Sequence, residues 1–206
     1  MTRTVLDKEV RRSQLIDASI KVFATKGYRS ASITDIIEAA GVARGTFYLY
    51  FDSKLDAFHA VMDRFLDLYK EVVDRELARS YANPLMIRSR IRESLMEWLE
   101  FFSRNKDLAK VVFREANAID PEYEQKWQAM LEVCFKHWTD SIMRFQKVGF
   151  VRKELDPRFL NLCFSGIMIN VVLQEVIPKE RVDLKKIVDQ WIEFIEFGIK
   201  AKGWLA

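Results

Sequence analysis

Glycine and proline are scarce in this 206-residue chain, at seven and four, and cysteine and histidine occur twice each. Turn-dense β-sandwiches and low-complexity tracts need many residues with special backbone dihedrals, so the first scarcity excludes both and favours a mostly helical protein. Cys134 and Cys163 stand apart in apolar helical patterns without a CxxC or a His-rich neighbour, which excludes a disulfide framework; buried thiols are expected. His59 and His137 have no metal-ligand spacing, and the chain lacks a GxSxG, a P-loop and Rossmann glycines. No catalysis, metal or cofactor is therefore expected. Long apolar runs are missing too. The longest stretch without a charge, Phe159 to Gln174, has 16 residues, short of the roughly 20 that a helix needs to cross hydrocarbon, and reads as a buried core helix. The N-terminal MTRTVLDKEVRR has no apolar segment of the signal-peptide kind, which points to a cytoplasmic chain with no membrane partner.

Half of the residues are hydrophobic and 31% are charged, a balance and length that suit one full domain or a small one joined to a larger. The formal charge of +3 is unevenly placed. Residues 1–54 hold nine Lys and Arg against six Asp and Glu, and the remainder holds 24 of each. All of the excess lies in the first quarter, which fits a polyanion partner there.

Start and stop signals divide the chain into about nine helices. The first is expected from Lys8 to Lys26, stopped by Gly27. Ser32 with Asp35 forms a capping box for a short second helix ended by Gly41. A third runs from Arg44 to Tyr50, with Phe47, Tyr50 and Phe51 on one side. Ser53 and Asp56 make another capping box at the start of a long fourth helix reaching about Arg79. A fifth follows Asn83-Pro84, and a short sixth covers 107–117. The pairs Asp120-Pro121 and Asp156-Pro157 open the seventh and eighth. The ninth extends from about Asp183 to Lys202, and no strand alternation is evident.

Residues 32–51, SITDIIEAAGVARGTFYLYF, have the layout of a helix-turn-helix, in which small residues and a glycine let a second helix cross the first closely. The outer face of that second helix, Arg44, Gly45, Thr46, Tyr48 and Leu49, is left for a partner. Such a helix fits the roughly 12 Å major groove, where Arg pairs with guanine and Thr or Leu touches a thymine methyl. Gly45 allows close backbone approach to a phosphate, and Tyr48 and Lys54 reach the backbone.

With VFATKGY at 22–28 and DSKLDAF at 52–58, this segment resembles the DNA-binding domain of the tetracycline-repressor (TetR/AcrR) family of bacterial transcriptional regulators. The resemblance covers about residues 10–60. It implies an all-α fold, with an N-terminal three-helix helix-turn-helix domain (1–54) joined to a larger helical ligand-binding and dimerisation domain (55–206). It implies a homodimeric repressor released from a palindromic double-stranded DNA operator by a small hydrophobic ligand. Carried over by position, Ser32, Thr34, Arg44, Gly45, Thr46, Tyr48, Leu49 and Lys54 face DNA. Two positions depart from the family pattern. Ala43 stands where Ser or Thr is frequent, removing a cap from the recognition helix, and Leu49 stands where His is common, favouring an apolar contact.

The ninth helix is apolar nearly all round, so with the eighth it is expected to form a two-fold four-helix interface through Phe164, Val171, Ile187, Trp191, Phe194 and Ile195. An apolar ligand pocket is expected among Trp98, Phe102, Phe113, Trp127, Met130, Cys134, Trp138, Phe164 and Met168. The spacing of Glu115 after Leu108, Val111 and Val112 turns it inward, and Asn170 lies in the uncharged helix. A buried unpaired group costs about 1–3 kcal/mol, so Arg114, His137 or a ligand must satisfy each. The competing reading from another class is an all-helical hydrophobic-ligand carrier or enzyme with an incidental helix-turn-helix.

Overall fold

The computed structural model describes residues 8–79, 83–119 and 121–198. Among them are nine α-helices and no strand: α1 (Lys8–Lys26), α2 (Ile33–Ala40), α3 (Arg44–Tyr48), α4 (Lys54–Ala78), α5 (Ile87–Arg104), α6 (Lys106–Ile119), α7 (Pro121–Lys147), α8 (Pro157–Val171) and α9 (Leu184–Gly198). The end of the ninth helix expected beyond Gly198, and the cap expected at Asp120, lie outside the described residues.

Local chemistry sets the boundaries. Asp35 N–H donates to Ser32 Oγ at 3.2 Å, and Ser32 N–H donates to Asp35 Oδ2 at 2.9 Å, so the expected capping box is complete. Gly41 ends α2 at φ +64, and the next amide, Val42 N–H, returns to Ile37 O at 3.2 Å. At α4 the reciprocal bond is shifted by one residue. Asp56 N–H donates to Ser53 Oγ at 3.1 Å, but the Asp56 carboxylate accepts from Asp52 rather than from the cap, at 3.0 Å. Asp156 caps α8 by accepting Phe159 N–H at 2.8 Å. Past α8 the helix widens into one π-turn, Val172–Val176, closed by Ile177 N–H on Val172 O at 2.9 Å.

The chain forms two compact units: residues 1–68 with 105–127, and residues 69–104 with 128–206. These do not coincide with a division at residue 54, because the start of α4, all of α6 and the start of α7 go with α1, α2 and α3. In the first unit Leu15, Phe23, Ile36, Phe47, Phe51, Phe58 and Phe65 are almost wholly buried, each contributing about 1.5–3 kcal/mol by leaving water. Phe23, Tyr28 and Phe58 pack as a ring cluster, and Trp127 tilts onto Phe65. Arg64 pairs with Asp17 at 2.8 Å, and Tyr123 donates to Asp63 at 2.7 Å while stacking on His59.

In the second unit Tyr69, Trp98, Phe101 and Phe102 form an aromatic cluster. Arg88 pairs with Glu196 at 2.7 Å across α5 and α9. Asn161 donates to Phe135 O at 2.7 Å and to Thr139 at 3.0 Å, fixing α8 on α7.

α8 is not the buried core helix expected from its composition. Phe159, Leu162, Ile169 and Leu173 are exposed, and so is Cys163, while Cys134 is half-buried. Within the 20-residue helical stretch Pro157–Val176 an 18-residue window has mean hydropathy 1.5, so by length and composition it could cross a bilayer, yet only 22% of that window is buried. The same properties describe a helix whose outer face meets a second protein surface. α9 is likewise two-sided: Val188, Trp191, Ile192 and Ile195 face inward, while Phe194 and Phe197 are exposed. Trp191 and Ile195 are therefore core residues of their own unit rather than part of an outer face, because Trp191 lies three positions after Val188, and Ile195 three after Ile192 and four after Trp191, on the inward stripe.

Candidate nucleic-acid interface

The α2–α3 pair is built from the inside out. Phe47 is completely buried, edge-on to Tyr48 and 5.6 Å from Phe51, and this anchors a helix of only five residues that has no side-chain cap at Ala43. With Phe47 fixed inward, helical geometry turns the neighbouring side chains outward. Arg44 and Gly45 are exposed, Thr46 is half-buried, and Tyr48 and Leu49 are 44% and 75% exposed. A Cβ built on Gly45 meets nothing within 4 Å, so the surface is open to a phosphate. The Arg44 guanidinium lies 5.9 Å from the Tyr48 ring centre, a cation–π contact that holds the fork on the outward face. Ser32 and Thr34 are exposed at the start of α2. The face presents a guanidinium, the hydroxyl groups of Ser32, Thr34 and Thr46, an open glycine, a phenol and an apolar tip, a set suited to phosphate and base-edge contacts.

Electrostatics here are largely internal. The Asp35 carboxyl is held down to about 2, first by the ammonium of Lys26 at 2.6 Å and then by the Ser32 amide and hydroxyl. Lys54 departs from expectation. Its Nζ donates to Tyr28 O and Ala31 O at 2.8 Å each and to Arg29 O at 3.4 Å, and it lies 4.5 Å from the Tyr28 ring centre. The ammonium closes the loop between α1 and α2 instead of facing outward, because a half-buried cation at a helix start is best satisfied by nearby carbonyls.

The residues expected to line one ligand pocket are divided between the two units. Phe113, Glu115 and Trp127 belong to the first, and Glu115 is satisfied there by Tyr28 N–H at 3.2 Å. Asn170 is exposed and donates to Gly166 O one turn back, at 2.9 Å, so it is not a buried polar group. The remaining second-unit candidates do not all meet either. Trp98, Cys134 and Trp138 come together around a cavity of about 10 Å³ with Val73, Glu76, Leu77 and His137, room for about one water molecule. Phe102 stacks on Trp98, while Met130, Phe164 and Met168 do not line that cavity.

Val73, Glu76, Leu77 and His137 line this cavity and were not among the expected pocket residues. Glu76 is 3% exposed; it accepts from Arg79 at 3.0 Å and faces His137 Nε2 at 3.7 Å. Among the described residues that imidazole nitrogen has no hydrogen-bond partner. Burial pushes both the Cys134 thiol and the Tyr69 hydroxyl up, and the hydroxyl donates to the thiol sulfur at 3.7 Å. The signal for Glu76 was present: it continues the stripe of Tyr69, Val72 and Val73 at helical spacing. A larger concavity, about 560 Å³, lies between α1 and the end of α2, but Ser13, Gln14, Asp17 and Lys21 make it too polar for an apolar ligand.

The family model for bacterial regulatory proteins of the tetR family matches residues 15–61. The HTH-type transcriptional repressor KstR2 of Rhodococcus jostii is 30% identical over 137 residues, covering 63% of this chain and 67% of that protein. A regulatory protein of the tetR family from Rhodococcus RHA1 superposes with a TM-score of 0.75 at 18% identity, covering 93% and 97% of the two chains. The transcriptional regulator FadR of Bacillus subtilis, solved in complex with stearoyl-CoA, superposes with a TM-score of 0.67 at 21% identity, covering 94% and 99%. The two structural likenesses show that the fold is shared.

Proposed function

Because the chain belongs to the tetR family of bacterial regulatory proteins, we propose that it is a cytoplasmic homodimeric repressor that leaves a palindromic operator when a small apolar ligand binds its second unit. The observation that carries the reading is the outward face of α3, where Arg44, Gly45, Thr46, Tyr48 and Leu49 stand over an inward Phe47. Ser32 and Thr34 extend that face toward the phosphates at the start of α2.

The dimer is supported by the exposed aromatics and aliphatics of α8 and α9, Phe159, Leu162, Ile169, Phe194 and Phe197. A monomer that leaves such a surface in water forgoes roughly 25 cal/mol for each Å² that a second copy could cover. Two recognition helices about 34 Å apart would then meet successive major-groove faces.

The ligand reading rests on the cavity walled by Trp98, Cys134, Trp138, Glu76 and His137. At about 10 Å³ it is far below the roughly 300–1,000 Å³ of drug-sized sites, so ligand entry means opening the helices around it. A coupling of about 1–3 kcal/mol between that opening and DNA affinity gives roughly 5- to 150-fold release. The test is a gel-shift series with duplexes tiling the DNA beside its own gene, at two salt concentrations. Specific, salt-sensitive retardation that Arg44→Ala with Tyr48→Ala removes, at unchanged helicity, is the expected result. Retardation of no duplex, or retardation indifferent to those substitutions, sinks it.

A further inference from the structure

α6 presents one buried carboxylate, Glu115, to the loop between α1 and α2, within the first unit. Glu115 Oε1 accepts the backbone N–H of Tyr28 at 3.2 Å, joining positions 87 apart in sequence. A Cβ on Gly27 would come within 3.2 Å of that same oxygen, and Gly27 also adopts φ +78. A side chain there would be strained and would press on the carboxylate, so the glycine leaves the space that Glu115 occupies.

The loop is held from its other side by Lys54, on Tyr28 O and Ala31 O. The Tyr28 ring packs 4.9 Å from Phe58 and 5.6 Å from Phe23. Tyr28 is thus fixed at its amide by α6, at its carbonyl by the start of α4 and at its ring by α1 and α4. Four residues later Ser32 caps α2, and α3 follows through the Gly41 turn, so the path of this loop sets where the recognition face points. Lys54 follows α3 closely in sequence and travels with it. Glu115 ties the loop to a helix remote in sequence.

We propose that Glu115 is a positioning residue for DNA binding: its bond to Tyr28 N–H holds the loop that aims α2 and α3, and displacement of α6 loosens that aim. The proposal rests on the regulator reading above. A carboxylate removed here leaves the Tyr28 amide without its acceptor, and the loop is then held by Lys54 and by the packing of the Tyr28 ring.

The test uses the full chain, E115A and E115Q, titrated with the duplexes tiling its own upstream DNA and with a scrambled duplex. Backbone amide exchange across Gly27–Ala31 is followed in the same samples. E115A exchanges faster over that segment and binds its preferred duplex at least about fivefold more weakly, with scrambled-duplex binding and salt slope unchanged. E115Q, whose amide oxygen still accepts from Tyr28, stays close to wild type in both measurements. G27A, which crowds the carboxylate, behaves like E115A and replaces it should E115A not fold. Unchanged affinity in E115A or G27A alongside faster exchange overturns the proposal, as does an equal loss in E115Q. A wild-type protein that prefers no upstream duplex overturns the regulator reading itself, and is told apart because the mutants then have no specific binding to lose.

Discussion

The first unit closes its apolar surface and the second does not. Around Phe23, Phe47, Phe58 and Phe65 the rings are buried to within a few per cent, and among the exposed apolar residues of that unit Tyr48 and Leu49 sit on the face proposed to meet DNA. In the second unit Phe159, Leu162, Ile169, Phe194 and Phe197 are all exposed along α8 and α9, while the interior carries a carboxylate, an imidazole and a thiol beside a small void. The difference teaches that the two units solve different problems. The first needs a rigid scaffold with a polar outer face; the second keeps a sticky exterior and an interior that holds polar groups beside a small void.

The strongest way to break the comparison is to open the sealed core. Phe47→Ala removes a wholly buried ring and is expected to cost about 3–5 kcal/mol, melting the first unit and abolishing DNA binding in thermal and gel-shift measurements. An unchanged melting curve would mean that the first unit is not held by this ring. Next, Phe194→Glu places a charge on the exposed face of α9 and is expected to weaken self-association by about 2 kcal/mol, read as a shift toward monomer in sedimentation equilibrium. If association is unaffected, that face is not the interface and the contrast between the units narrows. Arg44→Ala should lower specific DNA affinity by about 1–3 kcal/mol with the fold intact, as titration of a labelled duplex would report. Ser32→Ala removes half of the capping box and should lower stability by about 1 kcal/mol, measured by urea denaturation.

The smallest effect is acid dependence at Asp35. Its folded-state carboxyl is held down to about 2, below the ordinary carboxylate value of 3.8, so its contribution is fully present above about pH 4 and is lost as pH falls through about 2. The difference in melting temperature between wild type and Asp35→Asn should shrink over that window. A difference that stays constant from pH 5 to pH 2 would show that the carboxylate does not stabilise α2.

Much of the fold was legible because local rules decide it. The capping box at Ser32, the stop at Gly41 and the cap at Asp156 require only neighbours in sequence. The outward face of α3 was legible for the same reason, since Phe47 and Phe51 leave one side free. What was not legible depended on partners distant in the chain. Lys54 was read as reaching outward, because carbonyls at Tyr28 and Ala31 cannot be seen from its own helix. In α8 the inward amide is Asn161, which meets Phe135 and Thr139, not Asn170; an uncharged helix has apolar residues on every side, so periodicity alone does not choose its buried face. The same ambiguity placed Trp191 and Ile195 outside, when one stripe of α9 is core and the opposite one carries Phe194 and Phe197. That Phe113, Glu115 and Trp127 join the first unit was not legible either, because contacts distant in the chain set the membership of α6 and the start of α7.

The π-turn at Val172–Val176 carries a consequence for how this chain tolerates changes in length. A wide turn is an α-helix with one residue too many, and the surplus is absorbed between two fully buried valines, with Leu173, Gln174 and Glu175 bulging into solvent. Deleting one of those three would restore ordinary α-helical spacing without removing a core side chain. The helix beyond it would keep the side it faces, because the five-residue turn would simply close to an ordinary one. Here the loss of a single codon would remove a bulge and leave the buried valines in register, so chains differing by one residue can share one core.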